Sequence, residues 1–163
     1  MSYTEENGIG HFYGHAKISV EMAEAILKRY KYDSNTIKNV LELILYHDIT
    51  FESTKKFVKK WLNKIGEEQF KKLILLRIAD IKAQNISYIP ERLNKVYKIN
   101  DILNQVLNEE QCFNLKDLNI NGYDLINLGY KGKEIGEILN TLLNKVINDE
   151  IPNDKEKLLK EIK

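Results

Sequence analysis

Between Gly14 and Tyr30 the apolar residues Ile18, Met22, Ala23, Ile26 and Leu27 fall three and four apart. That spacing gathers side chains on one side of a helix and predicts a half-buried first helix over 14–30. The rhythm returns at Ile37, Val40, Leu41, Ile44 and Leu45, predicting a second helix over 34–48. Asp33 or Ser34 can cap it, and Tyr46, His47 and Asp48 form its last turn. Phe57, Val58, Trp61, Leu62 and Ile65 predict a third helix over 52–65, with Gly66 as its stop. A fourth, over 67–85, is apolar through Phe70, Leu73, Ile74, Leu76, Ile78 and Ala79 and carries Asp80. Pro90 suits the first turn of a fifth, over 90–109.

After residue 110 the texture changes. The stretch CFNLKDLNINGYDLINLGYKGKEIG is punctuated by glycine and predicts a brief helix over 122–128 and a turn over 129–132. A long helix over 133–149 follows, with Ile135, Ile138, Leu139, Leu142, Leu143, Val146 and Ile147 in one stripe. Pro152 ends it, and Asn153 can cap a last short helix. No strand pattern runs beyond a few residues, and no segment repeats. The expected fold is therefore all-α. A helical bundle over 1–110 is followed by a smaller helical subdomain over 111–163.

Composition narrows the class without naming it. Of the 163 residues, 43% are hydrophobic and 30% charged, the balance of a globular domain. No apolar run reaches the roughly 18 residues of a membrane helix. The opening MSYTEENG is polar and acidic, unlike a signal peptide. Cys112 stands alone, which excludes an internal disulfide and a cysteine-based zinc site. A cytoplasmic location with no membrane partner is the natural expectation. The net charge of +1 leaves nucleic-acid binding to the placement of charge rather than its total.

Two groups of residues carry candidate chemistry. His15, His47, Asp48 and Asp80 lie on three predicted helices, and a helical bundle can aim such side chains at one point. Imidazole and carboxylate together suit Mg, Mn, Fe, Ni or Zn. A divalent ion held there would polarise a phosphate oxygen and activate water, the chemistry of a phosphohydrolase. Each residue also has a plainer role. His11 and His15 could serve backbone groups at a glycine-flanked helix start, His47 could answer the helix dipole, and Asp80 could pair with Arg77 or Lys82.

The second group is basic. Lys55, Lys56, Lys59, Lys60 and Lys64 follow one another between Ser53 and Gly66 without an acid, and Lys71, Lys72 and Arg77 come next. Such a ridge could neutralise phosphates, or simply coat a solvated face. Lys131 and Lys133 flank Gly132 just before the long helix, where free backbone N–H groups favour anions.

The segment GHFYGHAKISVEMAEAILKRYKYDSNTIKNVLELILYHD resembles the HD-type helical domain of bacterial CCA-adding enzymes, the tRNA nucleotidyltransferases. LLRIADIKAQN is similar to the later helix that supplies the last aspartate of the HD metal site, and CFNLKDLNINGYDLINLGYKGKEIGEILNTLLNKVINDEIPN to the segment that follows. The likeness runs in order over about residues 8–153. It implies a module that holds the body of a tRNA, with tRNA or another structured RNA as partner. It also implies a metal site to which His15, His47 and Asp80 would contribute. In that alignment the first histidine and the His-Asp doublet lie upstream, so the site is incomplete, and His11 orders the start of the helix. A second alignment takes His15, the His47–Asp48 doublet and Asp80 as a complete HD set.

The family's catalytic head, with its Gly-Ser loop and paired aspartates, has no counterpart here. The expectation is an RNA-binding module not competent for nucleotidyl transfer alone, with no catalytic residue of that reaction. The alternative is a metal-dependent phosphohydrolase acting on phosphoesters or cyclic nucleotides. A third reading makes the chain one half of a split enzyme, completed by a separate nucleotidyltransferase head, with an apolar surface near the N-terminus.

Overall fold

The computed structural model describes residues 2–6, 9–83, 89–109 and 111–162, and the side chains from residue 14 onward within these. Two expectations fall outside: residues 84–85 of the fourth helix and the boundary residue 110. The fold is all-α in its long elements, with one addition that the apolar pattern did not announce. Two short strands, β1 (Ser2–Glu6) and β2 (Ile9–Tyr13), pair antiparallel, with Tyr3 opposite Phe12 and Thr4 opposite His11. His11 is thus a strand residue, not part of a helix start. Gly14 follows at φ 78°, a left-handed conformation that a side chain makes costly by about 1–2 kcal/mol, and it turns the chain from strand into helix.

The described helices are α1 (His15–Arg29), α2 (Ser34–Tyr46), α3 (Lys55–Ile65), α4 (Glu67–Lys82), α5 (Ile89–Asn108), α6 (Gly122–Asn127), α7 (Lys133–Ile147) and α8 (Lys155–Glu161). A 3-10 turn covers Leu115–Asp117. Local chemistry sets the ends. Asp33 Oδ1 accepts from Thr36 N at 2.9 Å and starts α2, and the Thr36 bonds hold its carboxyl below the usual range. Thr54 Oγ1 accepts from Phe57 N at 3.1 Å, so α3 begins at Lys55 rather than at 52. Asn121 and Asp124 cap each other's backbone at the start of α6.

The last cap differs from expectation. Asp154, not Asn153, receives Lys157 N at 3.1 Å and starts α8. Asn153 instead bonds Asn119 N at 2.8 Å and the Asp117 carbonyl at 2.7 Å, closing the loop below the 3-10 turn. Its side chain satisfies backbone groups across the chain, so it is not available to its own helix.

The chain divides into two units, and the division is not the expected single cut near 110. One unit combines residues 1–50 and 67–96, the other 51–66 and 97–163. α3 therefore belongs with the C-terminal helices. In the first unit α1 packs on α2 and α2 on α4. Gln69 Nε2 of α4 donates to the Asn39 carbonyl of α2 at 2.6 Å. The buried apolar residues here include Phe70, Leu73, Ile74 and Ile81 of α4, whereas α1 and α2 contain no fully buried residue. In the second unit Cys112, Leu118, Ile120, Leu142, Leu143, Val146, Ile147 and Leu158 form one core cluster. Among the described residues, no helix is long and apolar enough to cross a membrane.

Candidate nucleic-acid interface

The lysines of α3 separate into two rows. Residues four apart on a helix stack along one line, and here each line has a different fate. Lys55, Lys59 and Asn63 tie the helix down. Lys55 Nζ reaches Glu109 Oε2 at 2.6 Å, Lys59 Nζ reaches Asp149 Oδ1 at 2.6 Å, and Asn63 Nδ2 donates to the Phe113 carbonyl at 2.8 Å. One residue further on, Lys56, Lys60 and Lys64 form a second row, exposed to solvent over about 12 Å of helix. Lys56 and Lys60 have no acidic partner among the described residues. Lys64 lies 4.7 Å from the centre of the Trp61 ring, a cation–π contact.

Lys59 corrects the expectation most clearly. Its residue is 4% exposed, so it cannot meet a phosphate. The stem runs through the core and the ammonium is neutralised at the end of α7. Lys55 is likewise engaged, and its ammonium holds the Glu109 carboxyl below the usual range. The basic run of α4 is also answered in place. Lys71 and Lys72 bond Glu67 and Glu68 one turn earlier.

The turn before α7 keeps its basic character. Gly129 N donates to the Ile126 carbonyl at 2.9 Å and Tyr130 N to the Leu125 carbonyl at 3.1 Å, which closes α6. Gly132 adopts φ 58° and precedes α7, where no side chain caps the first N–H groups. Lys131 is exposed with no acidic partner among the described residues. Lys133 is 92% exposed and 3.3 Å from Glu137, a pairing that water and salt reduce to little.

The histidine–aspartate group lies in the first unit. His15 opens α1 and His47 closes α2, and their Nε2 atoms are 3.0 Å apart, with the rings at 72°. His47 Nδ1 is 2.7 Å from the Ile44 carbonyl. A carbonyl only accepts, so Nδ1 carries the proton and Nε2 of His47 is left to accept from His15 when both rings are neutral. Arg77 Nη1 sits 3.2 Å from Asp80 Oδ2, 3.3 Å from Asp48 Oδ1 and 3.4 Å from the His47 carbonyl. A cavity of about 340 Å³ is lined by His15, Ser19, Ile44, His47, Leu76 and Asp80.

A divalent ion needs several lone pairs converging on one point. Among the described residues, no group of three or more His, Cys, Asp or Glu side chains could hold one. Of the expected ligands, His15, His47 and Asp80 line that cavity, and Asp48 shares Arg77 with Asp80. The imidazoles face each other, and both carboxylates are answered by a guanidinium. Arg77 places a positive charge beside both carboxylates, which are themselves 59% and 40% exposed. The pairing of Asp80 with Arg77 was one of the plainer roles that the sequence offered.

Three partners escaped the sequence pattern: Asn63, Asp149 and Arg77 as a bridge. The helical wheel of α3 carried a signal for the anchoring row, though not for its distant partners. Lys55 and Lys59 project beside Leu62 on the apolar arc of α3, whereas Lys56 and Lys60 project away from it.

Comparison with known proteins fits these surfaces into a family. No curated protein and no solved structure matches the chain. One family does, over residues 3–162, and its description is tRNA nucleotidyltransferase domain 2. The match takes in both units, the exposed lysine row and the turn before α7. By that near-complete coverage, the chain belongs to the tRNA nucleotidyltransferase domain 2 family.

Proposed function

We propose that the chain is a binding module for structured RNA, with tRNA as its ligand, and that it does not transfer nucleotides by itself. The observation that carries this reading is the row Lys56, Lys60 and Lys64, which stays in solvent while the neighbouring row anchors the helix. Ammonium groups so placed can displace counterions from an RNA backbone, a source of affinity that needs no base contact. Folded RNA is read largely by shape, because its deep groove hides the base edges.

Lys131, Lys133 and the uncapped N-terminus of α7 form a second phosphate contact in the same unit. It lies about 20 Å along α7 from the end that Lys59 braces. Nucleotidyl transfer would then fall to a catalytic head that the module presents with its RNA.

A fluorescence titration with tRNA tests the reading. Binding at about 50 mM salt should weaken steeply by about 200 mM, as phosphate contacts require. No binding at the lower salt overturns it.

A further inference from the structure

The second unit holds a cavity of about 400 Å³ between the end of α5 and the 3-10 turn, within the size range of small-ligand sites. Leu107 and Phe113 give it apolar walls, Gln111 and Asn114 bring two amides, and Lys116 and Asp117 complete the lining. The loop that builds it is held from two sides. Asp117 Oδ2 accepts from Phe113 N at 3.2 Å and from Asn114 N at 2.9 Å, so this carboxylate is already engaged. Asn63 of α3 holds the Phe113 carbonyl at 2.8 Å. Lys60 precedes Asn63 by three residues and is its neighbour on the helix surface, so the cavity wall is fastened beside the exposed lysine row.

We propose that this cavity receives an unpaired nucleobase of the bound RNA. The lining offers what one nucleotide needs. Phe113 supplies a ring on which a base can stack. Gln111 gives an N–H to Glu109 and keeps its carbonyl oxygen as an acceptor, and the Asn114 amide adds N–H donors, so the two can bond a base edge that both donates and accepts. Lys116 is exposed, with no acidic partner among the described residues, and answers the phosphate. The surrounding charge favours an anionic chain, because the acids nearby, Glu109 and Asp117, are bonded to Lys55 and to the loop's own N–H groups. The inference rests on the RNA-binding reading and sharpens it. Lysines grip any phosphate backbone, whereas a base can enter a cavity only where it is free of pairing, in a loop, a bulge or an end.

Two RNAs test the proposal by fluorescence titration of the intact chain at one salt concentration: a blunt duplex, and the same duplex carrying a single bulged adenosine. The bulged RNA should bind about tenfold more tightly, the gain from one stacked base. Phe113→Leu, which keeps an apolar wall and loses the ring, should remove most of that gain and leave the blunt duplex unchanged. Lys116→Gln, at an exposed position that the fold does not need, should also reduce the preference for the bulge. Lys56→Gln with Lys60→Gln should weaken both RNAs alike and preserve their ratio. Equal affinity for the two RNAs, or a preference that survives both Phe113→Leu and Lys116→Gln, overturns the proposal and leaves RNA binding standing. Failure of either RNA to bind overturns both. Free adenosine monophosphate bound at about 10 μM or tighter would give the cavity to a soluble nucleotide and overturn the assignment to RNA.

Discussion

Lys59 and Asp149 form an ion pair of 2.6 Å in which the lysine side chain is almost fully buried and the carboxylate is two-thirds exposed. The two ends of the pair are therefore not equivalent. Removing the carboxylate leaves a charge in the core, whereas removing the ammonium leaves a carboxylate in water. Asp149→Ala should destabilise the chain by about 2 kcal/mol, and Lys59→Met by much less, because an apolar chain of similar length fills the same path. Denaturant unfolding of the two variants checks the asymmetry.

RNA affinity should follow the two rows of α3. Lys56→Gln with Lys60→Gln should lower the slope of log K against log salt by about 2, one for each phosphate no longer neutralised. Lys59→Met should leave the slope unchanged. Titrations at several salt concentrations measure both, and equal effects from the two rows would rule out the assignment.

Arg77 should behave as a clamp between α2 and α4. Its guanidinium serves two carboxylates and one carbonyl, so Arg77→Met should cost about 0.5–1 kcal/mol, because water screens both carboxylates. Asp80→Asn in the same chain should recover part of that loss. A double-mutant cycle by thermal unfolding gives the coupling.

Cys112 should be inert in the folded chain. Burial pushes its thiol up to about 11, with Asp117 adding to the rise and Lys59 opposing it. Thiol reagents at pH 8 should modify it only as fast as the second unit opens. The folded thiol also holds its proton more tightly than the unfolded one. Stability from this group is complete below about pH 9 and is lost as the pH rises toward 11. Reaction kinetics and melting curves across that range check both statements.

The long helices were legible because each needs only a periodic apolar face, and that period is written locally. α7 shows this best, since its stripe, from Ile135 to Ile147, coincides with the helix observed. The hairpin was missed for a reason that is also local. Asn7-Gly8 is a strong two-residue hairpin signal, but the flanking segments lack the alternation that marks a half-buried strand. The candidate sites were less legible because their character depends on distant partners. Nothing near Lys59 announces Asp149, 90 residues away. Nor does the spacing of Asp48 and Asp80 reveal that Arg77 stands between their carboxylates.

The assignment of α3 to the C-terminal unit has a consequence for anyone who wishes to dissect the chain. Its bonds to Glu109, Phe113 and Asp149 close loops of 54, 50 and 90 residues. During synthesis this helix leaves the ribosome long before its neighbours exist, and it must wait for them. A clone truncated at residue 110 would carry α3 without its core, and a clone starting at 111 would carry the core without α3. Neither half can be excised as one uninterrupted piece, so an experiment that isolates the second unit must fuse residues 51–66 to 97–163 through a linker.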